Sequence, residues 1–183
     1  MSSNVTGEIH VHRKHRTHGL FRRLILAGRL NPWIYKEIEY DPHALWQSVL
    51  VVLLSGAGTW IGIRGRIDAA GIALAACACG AAWALWTGLV FLIATRLLPE
   101  GQTKATWGEL IRTTGFATGP GILAVSGICP VLTGFAPFVT DIWILAAFVI
   151  AVQRTFSYRS VWQAIGVCFI GWGIYAAAIF VIH

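Results

Sequence analysis

Three runs of this chain carry no formal charge: Ala44 to Ile63, Ala69 to Thr95 and Ser160 to Ile182. Each is as long as the roughly 18 apolar residues that cross about 30 Å of hydrocarbon. A fourth region, Thr113 to Val152, holds one formal charge, Asp141, in forty residues. It is long enough for two spans, and the breakers Pro130, Gly134 and Pro137 in CPVLTGFAP place a turn between them. Only 12% of the 183 residues are charged, against roughly a quarter in a soluble domain. A single globular domain with a water-excluded core is thereby excluded. The expected fold class is all-α, a polytopic transmembrane helical bundle of about five spans at 44–63, 69–98, 107–129, 138–153 and 160–182. The fourth span is short, barely enough to cross at about 1.5 Å per residue.

Lys and Arg set the expected orientation, because positive loops stay in the cytoplasm. Seven precede the first span, from Arg13 to Lys36. Arg96, Lys104, Arg112, Arg154 and Arg159 bring that side to twelve of fourteen, leaving only Arg64 and Arg66 opposite. The amino terminus is expected inside and His183 outside, with the bacterial inner membrane favoured, or an endomembrane if the chain is eukaryotic. No secretory signal is expected, since the first forty residues contain no sustained apolar run.

Residues 1–19 read as a disordered basic tail and 20–43 as an interfacial amphipathic segment; the bundle occupies 44–183. Leu20, Phe21, Leu24, Ile25 and Gly28 fall on one helical face. Arg22, Arg23 and Arg29 lie off it, positioned for anionic lipid headgroups. Asn31-Pro32 is an N-cap followed by a proline at the first helical position, and Asp41-Pro42 repeats the device ahead of the first span. Trp33, Tyr35 and Tyr40 are candidate interfacial anchors. Thr106-Trp107-Gly108-Glu109 is a capping box that starts the third span at Trp107. Thr140-Asp141 reads as an N-terminal cap for the fourth.

The most specific stretch is RTTGFATGPGILAVSGICP, Arg112 to Pro130. Gly115 and Gly119 form a small-x-x-x-small pair that lets backbones approach. Pro120, inside the helix and followed by Gly121, predicts a kink there. Such a kink serves packing more often than binding. Asp141 has two readings, a functional intramembrane carboxylate or a first-turn residue favoured by the helix dipole.

The order of features resembles the Yip family, the Ypt/Rab-interacting polytopic membrane proteins, in its bacterial-type form. The residues that carry the resemblance are NPWIYKEIEYDP before the first span, ELIRTTGFATGPG at the third, and IWILAAFVIAVQRTFSYRSVWQAIGVCFIGW through the fourth and fifth. The resemblance implies five spans with a cytoplasmic amino terminus. In the eukaryotic branch it implies vesicle traffic and Rab binding through a longer acidic-aromatic segment, which this sequence does not show. For the bacterial-type form it implies a fold without a settled activity.

No Ser/His/Asp set, H-E-x-x-H motif, phosphate loop or carboxylate pair is present, which argues against an enzyme, and no cofactor is expected. His10, His12, His15 and His18 sit in an arginine-rich tail without a nearby Cys, so a solvated tail is expected in place of a metal site. The same charge, at the interface, favours lipid over nucleic acid. Cys77, Cys79, Cys129 and Cys168 read as small apolar packing residues. The expected function is non-catalytic, organising or adapting other membrane components; the expected partners are the bilayer, other membrane proteins or a homo-oligomer. The alternatives are an accessory subunit of a larger membrane complex and a small transporter or channel.

Overall fold

The structure, a computed structural model, describes residues 19–96 and 105–182. The tail before Gly19 with its histidines, residues 97–104 with Lys104, and His183 lie outside the described residues. The protein is an all-α helical bundle: α1 (Leu20–Gly28), α2 (Pro32–Tyr40), α3 (Ala44–Arg64), α4 (Ala69–Arg96), α5 (Trp107–Ala117), a 3-10 segment (Gly119–Ile128), α6 (Phe135–Thr155) and α7 (Val161–Ile182). By length and composition α3, α4 and α6 can each cross a membrane. The expected third crossing, over 107–129, is composite. α5 rises about 16 Å at 1.5 Å per residue, and the 3-10 segment about 20 Å at 2.0 Å per residue. Together they exceed the hydrocarbon thickness.

Local signals set most helix ends. The Asn31 side chain accepts from the Trp33 amide at 3.0 Å, with Pro32 in the first turn. The capping box at Thr106 and Glu109 closes in both directions, at 2.8 and 3.3 Å. Asp68 caps α4, accepting from the Gly71 amide at 2.6 Å and the Trp60 indole at 3.0 Å. The Asp41 carboxylate accepts from the His43 amide at 2.9 Å, so the Asp-Pro device forms a turn and α3 starts at Ala44. Two other ends are hidden from a glycine search. After α1 the Leu30 amide bonds to Ala27 and the Asn31 amide to Leu26; after α6 Ser157 bonds to Arg154 and Tyr158 to Gln153. Both are Schellman closures whose left-handed residue, usually glycine, is Leu30 at φ 58° and Ser157 at φ 51°.

Three expectations are corrected. The fourth span is not short: α6 begins at Phe135 and runs 21 residues. Gly134 precedes the helix and Pro137 lies in its first turn, where a missing N–H costs nothing. Thr140-Asp141 is consequently no cap, and the Thr140 hydroxyl donates to the Pro137 carbonyl at 2.8 Å. Arg23 of the amphipathic segment does not face outward with Arg22 and Arg29. Arg23 and Ala27 are buried, whereas Phe21 is 75% exposed.

α1 and α2 instead form a hairpin docked on the bundle. Its tip is held by Trp143, whose indole donates to the Gly28 carbonyl at 2.7 Å. Trp143 is twelve residues from the end of α6, about 18 Å along its axis. The hairpin thus reaches well down the side of the bundle. Behind it, Ala27, Tyr35, Ile38, Leu110, Phe116, Phe148 and Val152 form part of one continuous core.

Candidate functional site

Two places concentrate polar groups, and the composite third crossing connects them. The first lies at the end of the bundle where α3 begins. Arg23, 1% exposed, donates from Nε and Nη2 to Glu37 at 3.2 and 3.1 Å, and from Nη1 to Gln47 at 3.1 Å. Its Nη2 also lies 2.6 Å from Asp41. One guanidinium therefore ties α1, α2 and α3 together. Its planar fork suits several carboxylate oxygens at once. Burial acts against the charged form of Asp41, but hydrogen bonds from Arg23 and the His43 amide outweigh it and hold the carboxyl below its ordinary value. Glu39 shows the opposite balance. Burial pushes its carboxyl up, offset only in part by Lys36, whose Nζ lies 3.0 and 3.1 Å from the two oxygens. Burial likewise raises the Tyr35 phenol, which donates to the Ala27 carbonyl at 3.2 Å.

Of the three arginines expected at lipid headgroups, Arg22 and Arg29 are exposed and Arg23 is not. An amphipathic count places Arg23 outside because its partners are 14, 18 and 24 residues away, beyond any local period.

The second place is the joint between α5 and the 3-10 segment. The α-helix stops at Ala117, and Pro120 opens the tighter helix. The Gly115 carbonyl accepts the Thr118 amide at 3.3 Å and the Thr118 hydroxyl at 2.8 Å. Runs of 3-10 longer than three or four residues are uncommon; this one has ten residues. Its persistence has a packing cause. At three residues per turn, Thr118, Gly121, Ala124 and Gly127 stack on one side, and all are buried. That stripe faces Ser55, Gly58 and Gly62 of α3 so closely that a Cβ at Gly58 would lie 2.9 Å from the Ile122 carbonyl oxygen. A Cβ at Gly127 would lie 2.8 Å from that of Gly62.

The predicted glycine motif divides. Gly115 meets Ser48, with a Cβ there 2.5 Å from the serine Cβ, and Gly121 meets Ser55. Gly119 meets the flexible end of Leu24, with Val51 of α3 at ordinary contact distance. Hydroxyl bonds fasten the same crossing to its neighbours. Ser48 donates to the Arg112 carbonyl at 2.7 Å, Thr113 pairs with Thr155 at 2.8 Å, and Thr114 receives the Trp83 indole at 3.2 Å.

Beside this joint lies a cavity of about 590 Å³, walled by residues of α3, α4, α6 and α7 with Thr118. Asp141 is in its wall. Six residues past Phe135, or about 9 Å into α6, it makes no hydrogen bond or ion pair with any described residue. The Asp141 side chain is exposed at the surface of α6; a carboxylate within a membrane span is a functional candidate by default. Its displacement from the first turn removes the helix-dipole explanation.

Among the described residues no group of three His, Cys, Asp or Glu is placed to hold a metal, and no disulfide joins the four cysteines. No family model, no curated protein and no solved structure matches the chain.

Proposed function

We propose that this chain is a non-catalytic integral membrane protein of Yip type that organises or adapts other membrane components. In this reading it lies in a bacterial inner membrane with its amino terminus inside. One observation carries the reading. Two of the three segments that carry the resemblance, NPWIYKEIEYDP and ELIRTTGFATGPG, pack on each other as α2 against α5. They are joined by the Arg112 guanidinium donating to the Glu39 carbonyl. A segment held in this way is a fixed platform at the positively charged end of the bundle. It presents Arg22 and Tyr40 outward at that end, where anionic headgroups or a membrane partner meet them, and Arg29 and Trp33 outward nearer the hairpin tip.

A second reading, an accessory subunit of a larger complex or a homo-oligomer, is favoured by α4. Ala70, Ala73, Cys77, Ala81 and Ala84 are all exposed on one face of that helix, a surface on which another membrane helix approaches closely. Photo-crosslinkers at Trp33 and at Cys77, activated in intact membranes, separate the two. A discrete protein adduct from Trp33 supports the platform, and one from Cys77 supports the lateral contact. Lipid adducts alone at Cys77 would sink the lateral contact, and lipid adducts alone at Trp33 would sink a protein-binding platform and leave only contact with headgroups. Reporter fusions at the amino terminus and at His183 test the orientation; a cytoplasmic carboxyl terminus overturns it.

A further inference from the structure

We infer that the cavity beside the Thr118 joint binds a hydrophobic organic cation, an amphipathic amine or quaternary ammonium group. This goes beyond the Yip-type reading and does not depend on it.

Charge points to the sign of the ligand. The Asp141 carboxylate, exposed at the cavity wall, has no partner among the described residues, and among them no Lys, Arg or His lines the cavity. A lone negative charge in a medium of low dielectric attracts a cation far more strongly than it would in water. The walls point to the ligand's body. Trp83, Trp86, Phe138, Phe148 and Phe169 contribute aromatic rings, and a cation set over a ring face is drawn by the ring quadrupole, quaternary ammonium groups above all. Trp86 and Phe148 are stacked with centroids 4.3 Å apart and planes within 5°, so two of these rings form one rigid slab.

Size points to the class. A volume of about 590 Å³ sits within the range of small-molecule sites, roughly 300–1,000 Å³. A bare inorganic cation is a poor occupant, because hard cations want about six or more oxygens. The wall offers the carboxylate with the hydroxyls of Ser55 and Thr118, and the latter already donates to Gly115. Phe138 and Ile142 on the same stretch of α6 are 63% and 55% exposed, so the ligand has a lateral route from the bilayer.

The test uses the full chain in lipid nanodiscs and two probes of nearly equal shape and opposite charge, tetraphenylphosphonium and tetraphenylborate. Equilibrium binding is read with empty discs subtracted. The expected result is saturable phosphonium binding at least tenfold tighter than borate. Asp141→Asn should lower phosphonium affinity at least tenfold and leave borate unchanged, while Asp141→Glu should stay within threefold of the parent. Equal binding of the two probes by the parent overturns the proposal, as does unchanged phosphonium binding by Asp141→Asn. The parent comparison stands on its own should the Asn variant fold poorly. Phosphatidylcholine and phosphatidylglycerol discs, compared at about 1 M salt so that screening over about 3 Å removes the surface attraction of the anionic lipid, then separate two sources of the same chemistry. Weaker phosphonium binding in phosphatidylcholine identifies a lipid choline headgroup as the competing occupant, and equal binding identifies a free solute; both support a cation site.

Discussion

Replacing Gly115 by alanine adds one methyl group where α5 meets α3. That carbon would lie 2.5 Å from the Ser48 Cβ, 3.1 Å from its Cα and 3.2 Å from its carbonyl oxygen. Carbon atoms in contact prefer about 3.5–4.0 Å, so the two helices must separate by about 1 Å. Overpacking of this kind costs about 1–3 kcal/mol. The same separation stretches the hydrogen bond from Ser48 to the Arg112 carbonyl, now 2.7 Å, at a further cost of about 1 kcal/mol. A total of about 2–4 kcal/mol corresponds to a fall in Tm of roughly 5–15 °C for a chain of this size. The assay is thermal unfolding of the purified protein in detergent. Gly119→Ala, which displaces only the tip of Leu24, should cost much less, and Gly166→Ala, with nothing within 4 Å, should cost nothing. Ser48→Gly in the Gly115→Ala background should recover the overpacking part, giving a coupling of about 1–3 kcal/mol. If Gly115→Ala melts like Gly166→Ala, close packing of α3 on α5 is not what this glycine is for.

Arg23→Met should destabilise by about 3–5 kcal/mol, because it leaves Glu37 and Asp41 facing each other without the buried cation; denaturant titration reads it. Asp41, held below its ordinary value of 3.8, contributes stability that is complete above that pH and is lost as pH falls through the folded value. Asp41→Asn should therefore flatten the acid limb of a Tm-against-pH curve. Glu39, raised above 4.5, acts with the opposite sign, so stability declines as pH climbs from 4.5, and Glu39→Gln should remove that decline. Ser157→Gly should stabilise by about 1 kcal/mol, since glycine occupies the left-handed position at the end of α6 without the Cβ penalty; an unchanged or lower Tm would refute it.

Features coded by neighbouring residues were legible in the sequence. The charge-free runs locate α3, α4 and α7, and Asn31-Pro32 and Thr106–Glu109 announce their helices because a cap needs only three or four residues. Features coded by distance were not. The inward turn of Arg23 depends on carboxylates supplied by later elements. The start of α6 was obscured because Gly134 and Pro137 have the chemistry of a turn and also fit the entry to a helix. In the candidate site, Gly115 and Pro120 were visible as a motif, yet neither Ser48, which Gly115 meets, nor Gly58 and Gly62, which face the 3-10 segment, were paired with it. The signal was there in Gly121, Ala124 and Gly127, spaced by three, a period that a search for α-helical faces at 3.6 residues does not detect. The cavity assembles side chains from four helices and the Thr118 joint, and no single segment betrays it.

The ten residues of the 3-10 segment cover a length for which an α-helix would need about thirteen. The third crossing is thus drawn taut, and it spends reach where the other crossings spend girth. Removing one residue from it would shorten the strut by about 2 Å and swing every later side chain by about 120°. Gly127 would leave α3, and the Thr133 hydroxyl, which holds the following turn through the Gly127 carbonyl at 2.8 Å, would lose its anchor. The tolerance of this crossing to insertion and deletion is therefore set by its thread count, not by its hydrophobicity.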